Sequence, residues 1–163
     1  MPSSRAGGRA GLAVEVRHPA FFAKGEQERA LNRLLLERSV ERICLDSRAL
    51  FACRSDDAAV RHAQSKKPRL PVRPTAFSPS PQLRFIGGPD LPSNQAFLAP
   101  WLDKVAAWIE QGLRPHVFLH TPDNHLAPQL ARGFHAQLMV RLPGLPALPE
   151  PVIKPAAEQI GLF

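Results

Sequence analysis

The sequence predicts an α/β protein of parallel strands with helices packed outside them, and three observations carry that expectation. Short apolar runs alternate four times with helical patterns along the 163 residues. Each run stops at proline, glycine or a small polar turn residue. Separating alternate positions of the runs gathers their charge on one side. Regular alternation of strand and helix is the pattern of β/α units, which lay parallel strands under a helical layer.

The first unit opens with Leu12 to Val16, a short strand followed by Arg17, His18 and Pro19, where the missing proline N–H ends regular pairing. After Gly25, a helix is expected from Glu26 to Arg38. Leu31, Leu34 and Leu35 recur at helical spacing, and Glu26 and Glu28 sit in the first turn, where the helix dipole favours acids. Ile43 to Leu45 forms the second strand and runs into Asp46, Ser47 and Arg48. A long irregular stretch follows, with one or two helical turns around Asp57 to Gln64.

The third strand is Leu83 to Ile86, stopped by Gly87, Gly88 and Pro89. Ser93 is positioned to cap the next helix, in which Phe97, Trp101, Val105, Trp108 and Ile109 form one apolar stripe and Gly112 marks the end. His116 to His120 is the fourth strand. A turn at Thr121 to Asn124 leads to a helix over about His125 to Val140, with Leu130, Phe134 and Leu138 inward.

Composition divides the chain into a leader at 1–11, a β/α domain at 12–142 with an irregular basic loop at 49–82, and a proline-rich tail at 143–163. Apolar residues are 44% and charged residues 21%, the range of a globular protein. Lysine and arginine exceed acids by 21 to 14, a net charge of +7 that favours anionic partners. No acid occurs between Arg61 and Pro89, whereas Lys66, Lys67, Arg69, Arg73 and Arg84 fall there. Such a run is either a solvated loop or a phosphate-facing one.

The start of the chain has no apolar signal-peptide core, and no run of apolar residues reaches the ~18 that a membrane span needs. The expectation is therefore a cytoplasmic protein without a membrane partner. Cys44 and Cys53 have neither zinc spacing nor disulfide-scaffold density and are read as reduced thiols. There is no glycine-rich phosphate loop or nucleophile elbow, so no cofactor is specified.

Side chains alternate between the two faces of a sheet. One parity collects Val14, Val16, Ile43, Leu45, Leu83, Phe85, Val117 and Leu119, all apolar and suited to packing under helices. The other collects Glu15, Arg17, Cys44, Asp46, Arg48, Arg84, Ile86, His116, Phe118 and His120. An open sheet covered on both faces would bury that charge at a cost, whereas the inner face of a barrel accommodates it at the strand ends. This polar face can be a self-neutralising ion-pair layer or a floor that binds a ligand or phosphate. Metal binding by His18, Asp46, His120 and Asp123 has the right donor types but no supporting local spacing.

The motifs Ala13-Val-Glu-Val-Arg-His18, Leu31-Asn-Arg-Leu-Leu35, Ile43-Cys-Leu-Asp-Ser-Arg48, Arg84-Phe-Ile-Gly87 and Phe118-Leu-His-Thr-Pro-Asp-Asn124 resemble, in order and spacing, the YecE-like family, domain of unknown function 72. The Lys66-Lys-Pro68 loop and the Ala99-Pro-Trp-Leu-Asp-Lys104 helix fit the same pattern, and coverage runs from about Leu12 to Pro149. The resemblance implies the last four β/α units of a TIM-type barrel, hence a chain truncated at its N-terminus, since a full barrel takes about 250 residues. It implies no reaction.

The expected site places Arg17 and Arg48 around an anion, with His18 and Arg84 beside them. Glu15, Asp46 and His120 are the candidates for proton transfer, and Asp123 and Asn124 orient the ligand or His120. In the alternative, Lys66, Lys67, Arg69 and Arg73 grip nucleic acid. A half-barrel would also expose sheet edges, which invites self-association.

Overall fold

Short parallel strands carry the fold, seen in a computed structural model that describes residues 11–151. All but one residue of the expected leader and the last part of the expected tail lie outside the described residues. β1 (Ala13–Val14) pairs with β2 (Glu41–Arg42), β3 (Cys44–Asp46) with β4 (Gln82–Ile86), and β4 with β5 (His116–His120), every pair parallel. Ile43 alone separates β2 from β3, and its N–H donates to the Val14 carbonyl at 2.9 Å. One segment thus joins the two-stranded and three-stranded sheets, and neighbours in sequence are neighbours in space. The parallel α/β architecture read from the sequence is the one observed.

Three long helices, α1 (Glu26–Glu37), α4 (Gln95–Glu110) and α5 (Ala127–Arg141), follow β1, β4 and β5. α4 and α5 bury Leu98, Trp101, Leu102, Val105, Leu130 and Phe134 in one cluster with Leu83 and Phe85, each large apolar side chain contributing about 1.5–3 kcal/mol. Ser93 does not cap α4 as expected. It lies in a 3₁₀ turn (Pro92–Asn94), and its hydroxyl donates to the Asp90 carbonyl.

Asn94, fully buried, braces the turn after β4, accepting from the Gly88 N–H at 2.7 Å and donating to the Asp90 carbonyl at 2.8 Å. A Cβ on Gly87 would meet Asn94 Oδ1 at 2.7 Å and the His120 carbonyl at 3.1 Å. Gly87→Ala should therefore cost about 1–3 kcal/mol through overpacking. The check is a urea melt with a lower midpoint at unchanged slope; an unmoved midpoint would show that the turn can relax.

The irregular loop expected at 49–82 resolves into α2 (Arg48–Ala52), α3 (Ala58–Lys66) and an extended strap. Asp57 caps α3, accepting from Ala59 N–H at 2.8 Å. The strap carries prolines at 68, 71, 74, 79 and 81, which cannot donate to a ladder, so side chains tie it down. Ser47 Oγ donates to the Pro68 carbonyl at 2.8 Å, and Glu41 accepts from Ser78 N–H at 2.8 Å and from Ser78 Oγ at 2.6 Å. Between these ends Val72 and Ala76 pack on the cluster containing Cys44 and Phe85. An extended crossover thus occupies the helical layer between β3 and β4.

The register corrects the parity expected for the second strand. Cys44 pairs with Leu83 and Asp46 with Phe85, so both face α4, while Leu45 pairs with Arg84 on the opposite face, inner in the sense that α4 and α5 cover the other. The reason is the placement of α2 and α3. They pack Leu50, Val60 and Ala63 against Leu45 and Ile86 from the inner side, so this strand needs apolar residues on both faces. The other strands keep the expected phase, Arg84 pairing with Phe118 and Ile86 with His120.

Candidate functional site

Where the strands end on the inner face, Glu15 accepts from Arg17 Nε at 2.8 Å and from Arg84 Nη1 at 2.7 Å. Burial pushes the Glu15 carboxyl up, but the hydrogen bonds and charges of Arg84 and Arg17 outweigh it and hold the group below its ordinary value. Lys67, at the C-terminus of α3, feels the same cations. Burial, then Arg84 and Arg17, lower its pKa against the opposing pull of Glu15. Two guanidinium groups thus hold one carboxylate, and the Lys67 ammonium adds to the positive charge around it.

His120 closes the group from β5. Burial lowers its pKa first, Arg84 and Lys67 add to this, and the side chain of Asn124 together with Glu15 opposes it. Its neutral imidazole, with one donor and one acceptor, is therefore favoured near pH 7. Asn124 reaches this position from a left-handed turn, with φ of 63°, a conformation asparagine tolerates better than most residues. Beside it, a cleft of about 240 Å³ opens between α3 and the exit of β5, lined by His62, Lys66, Lys67, His120, Thr121 and Asn124 among others.

Several expected members lie elsewhere. Asp46 is fully buried under α4, where Trp101 Nε1 donates to it at 2.8 Å and Arg48 donates through Nε at 3.0 Å and Nη2 at 2.8 Å. That contact raises the pKa of Arg48, and Asp46 and Arg48 are an outer-face pair. His18 Nδ1 accepts from the Ala20 N–H at 3.3 Å and caps a 3₁₀ turn (Pro19–Phe22), while exposed Asp123 accepts from the His125 N–H at 3.0 Å. Glu15, Arg17, Arg84, His120 and Asn124 are brought together; Asp46, Arg48, His18 and Asp123 are not.

The basic run is dispersed as well. Lys67 joins the inner cluster, Lys66 lines the cleft, Arg69 lies over the Phe51 ring at 5.8 Å, and Arg73 pairs with Glu28 at 2.7 Å. Lys67 and Thr121 are site residues that the strand parity could not find, since neither lies in a strand. The motif Lys66-Lys-Pro68, followed by prolines that hold the chain extended, was the available signal for Lys67.

The glycines after β4 do not form an anion loop, because the Gly87 N–H donates to the His120 carbonyl at 2.8 Å and the Gly88 N–H to Asn94. Side chains are what this end of the sheet offers an anion. Among the described residues no three His, Cys, Asp or Glu side chains come together as a metal-ligand set. Cys44 and Cys53 are unpaired, and burial pushes the Cys44 thiol up to about 11. No helix among the described residues is long and apolar enough to cross a membrane.

Parallel β/α units ending in a basic, polar inner cluster define the class of this protein, and comparison with known sequences gives the family. Residues 3–154 match the family described as Protein of unknown function DUF72, and the chain belongs to it. It is similar to UPF0759 protein YecE of Escherichia coli strain K12, with 46% identity over 136 residues covering 83% of this chain and 50% of that protein. UPF0759 protein YecE of Escherichia coli O157:H7 matches with the same identity and coverage. The chain spans about half the length of these curated relatives. No solved structure matches it.

Proposed function

We propose that the chain is the C-terminal half of a TIM-type barrel whose inner strand ends bind a small anionic ligand. The barrel reading is supported by the strand order, which never reverses as a doubly wound sheet would require. It is also supported by the long helices lying on the face opposite Arg84 and Phe118, the latter left 50% exposed. The outer strands β1 and β5 each keep an edge unpaired among the described residues, which supports association through those edges. Light scattering that finds a dimer would favour such pairing, and a monomer would oppose it.

The observation that carries the anion reading is the excess of Arg17, Arg84 and Lys67 over Glu15. Glu15 holds the two guanidinium groups in place, and their planar forks match carboxylate or phosphate oxygens. Neutral His120 supplies a hydrogen bond and is the proton acceptor of the site.

Inorganic phosphate titrated at low salt should bind, and Arg84→Met and Lys67→Met should each weaken it about tenfold, the loss of one charge-assisted hydrogen bond. Arg48→Ala should leave the affinity unchanged. Equal affinities in all four proteins, or no binding across phosphate and carboxylate probes, would remove the reading. The nucleic-acid alternative has less support, since Arg73 is engaged with Glu28 and Lys67 lines the cleft beside His120. Binding of a duplex that weakens steeply with salt would instead favour it.

A further inference from the structure

The cleft beside the basic cluster differs from it in chemistry. Its lining combines two lysines, Lys66 and Lys67, with the hydrogen-bonding groups of His62, His120, Thr121 and Asn124, over the apolar surfaces of Ala63, Ile86 and Pro122. A bare inorganic anion would use the cations and leave the amide, hydroxyl and imidazoles idle. Hydroxyl groups of a ligand match them, because each such group both donates and accepts. The apolar patches suit the C–H face of a small polyol.

Thr121 points the same way. It is 3% exposed, and its hydroxyl has no hydrogen-bond partner among the described residues. Partnerless buried hydroxyls are few and each calls for an explanation; an oxygen-bearing ligand in the adjoining cleft supplies one. The cleft adjoins the cluster through Lys67 and His120, so a molecule with an anionic end and a hydroxylated body can occupy both.

We propose that the ligand is a small phosphorylated polyhydroxy compound, its phosphate on Arg84 and Lys67 and its hydroxylated part in the cleft against Thr121, His120 and Asn124. This rests on the anion reading above and deepens it. Calorimetric titration of the 163-residue chain with ribose 5-phosphate and with inorganic phosphate tests it. Ribose 5-phosphate should bind at least about tenfold more tightly than phosphate, and that advantage should vanish in Thr121→Val and in Asn124→Gly. Glycine keeps the left-handed turn while removing the amide, and Thr121→Ser, which keeps the hydroxyl, should retain the advantage and serves as the folding control. Equal affinity for the two probes would overturn this inference and leave the anion reading standing, as would an advantage that survives both substitutions. Failure of both probes to bind would overturn this inference, and failure of carboxylate probes as well would remove the anion reading with it.

Discussion

Glu28→Ala should lower the stability of the fold by about 3 kcal/mol. Glu28 is 4% exposed and sits between two guanidinium groups, Arg73 at 2.7 Å and Arg42 at 3.4 Å. Arg42 is itself 1% exposed, so removing the carboxylate leaves a charge buried without its counterion, a change that costs about 3–5 kcal/mol. The lower end applies because Arg42 keeps hydrogen bonds to Asn32 Oδ1 at 2.6 Å and the Phe21 carbonyl at 2.7 Å, and lies over the Phe22 ring. A fall in thermal midpoint of roughly 6–12 °C would follow. A loss under about 1 kcal/mol would show that the network contributes little.

The same carboxylate sets an acid dependence. The Arg73 hydrogen bond outweighs burial, and the backbone N–H of Lys24 assists, so the folded pKa of Glu28 lies below its ordinary value. A group lowered on folding stabilises above its unfolded pKa, about 4.3 for glutamate, and loses that contribution as pH falls towards the folded value. Glu15 acts with the same sign. Glu28→Gln should therefore show a shallower loss of stability below about pH 4 than the parent chain. Parallel curves would contradict the assignment.

Asp46→Ala should cost about 3 kcal/mol and leave phosphate affinity unchanged. The substitution strips a partner from the buried Trp101 N–H and from the Arg48 backbone N–H, which Asp46 Oδ1 accepts at 3.0 Å; each buried donor left unsatisfied costs about 1–3 kcal/mol. Arg48→Ala should cost about 1–3 kcal/mol, since its side chain is 47% exposed but Asp46, 0% exposed, keeps only the Trp101 indole and Arg48 backbone N–H donors once the guanidinium is gone. Urea melts and phosphate titrations of both variants check this. If Asp46→Ala kept its stability but lost phosphate binding, the carboxylate would belong to the site after all.

These two carboxylates show where reading the sequence stops short. Asp46 stands at a strand end beside Ser47 and Arg48, the position at which barrel enzymes carry chemistry, and its residue type is right. Its neighbours Ile43 and Leu45 looked like the helix-facing pair because they are apolar. Leu45 faces the other way, because α2 and α3 cover that side of the strand. Hydrophobicity locates a covered face without telling which layer covers it. Glu28 was legible only as a helix-dipole residue, and Arg42 and Arg73, 14 and 45 positions away from it, gave no sign of sharing it.

What could be read in one dimension was what depends on short range: helix periodicity, glycine and proline stops, and the alternation that makes parallel β/α units. Glu15, Arg17, Arg84 and His120 came out together for the same reason, since strand parity places Arg84 and His120 and, carried past the end of β1, Glu15 and Arg17. Lys67, Thr121 and the cleft between α3 and β5 were decided only in three dimensions, where an extended proline strap rather than a helix returns the chain to β4. A strap has no period to read, and its course is set by hydrogen bonds that the Ser47 hydroxyl donates and the Glu41 carboxylate accepts, partners distant in sequence.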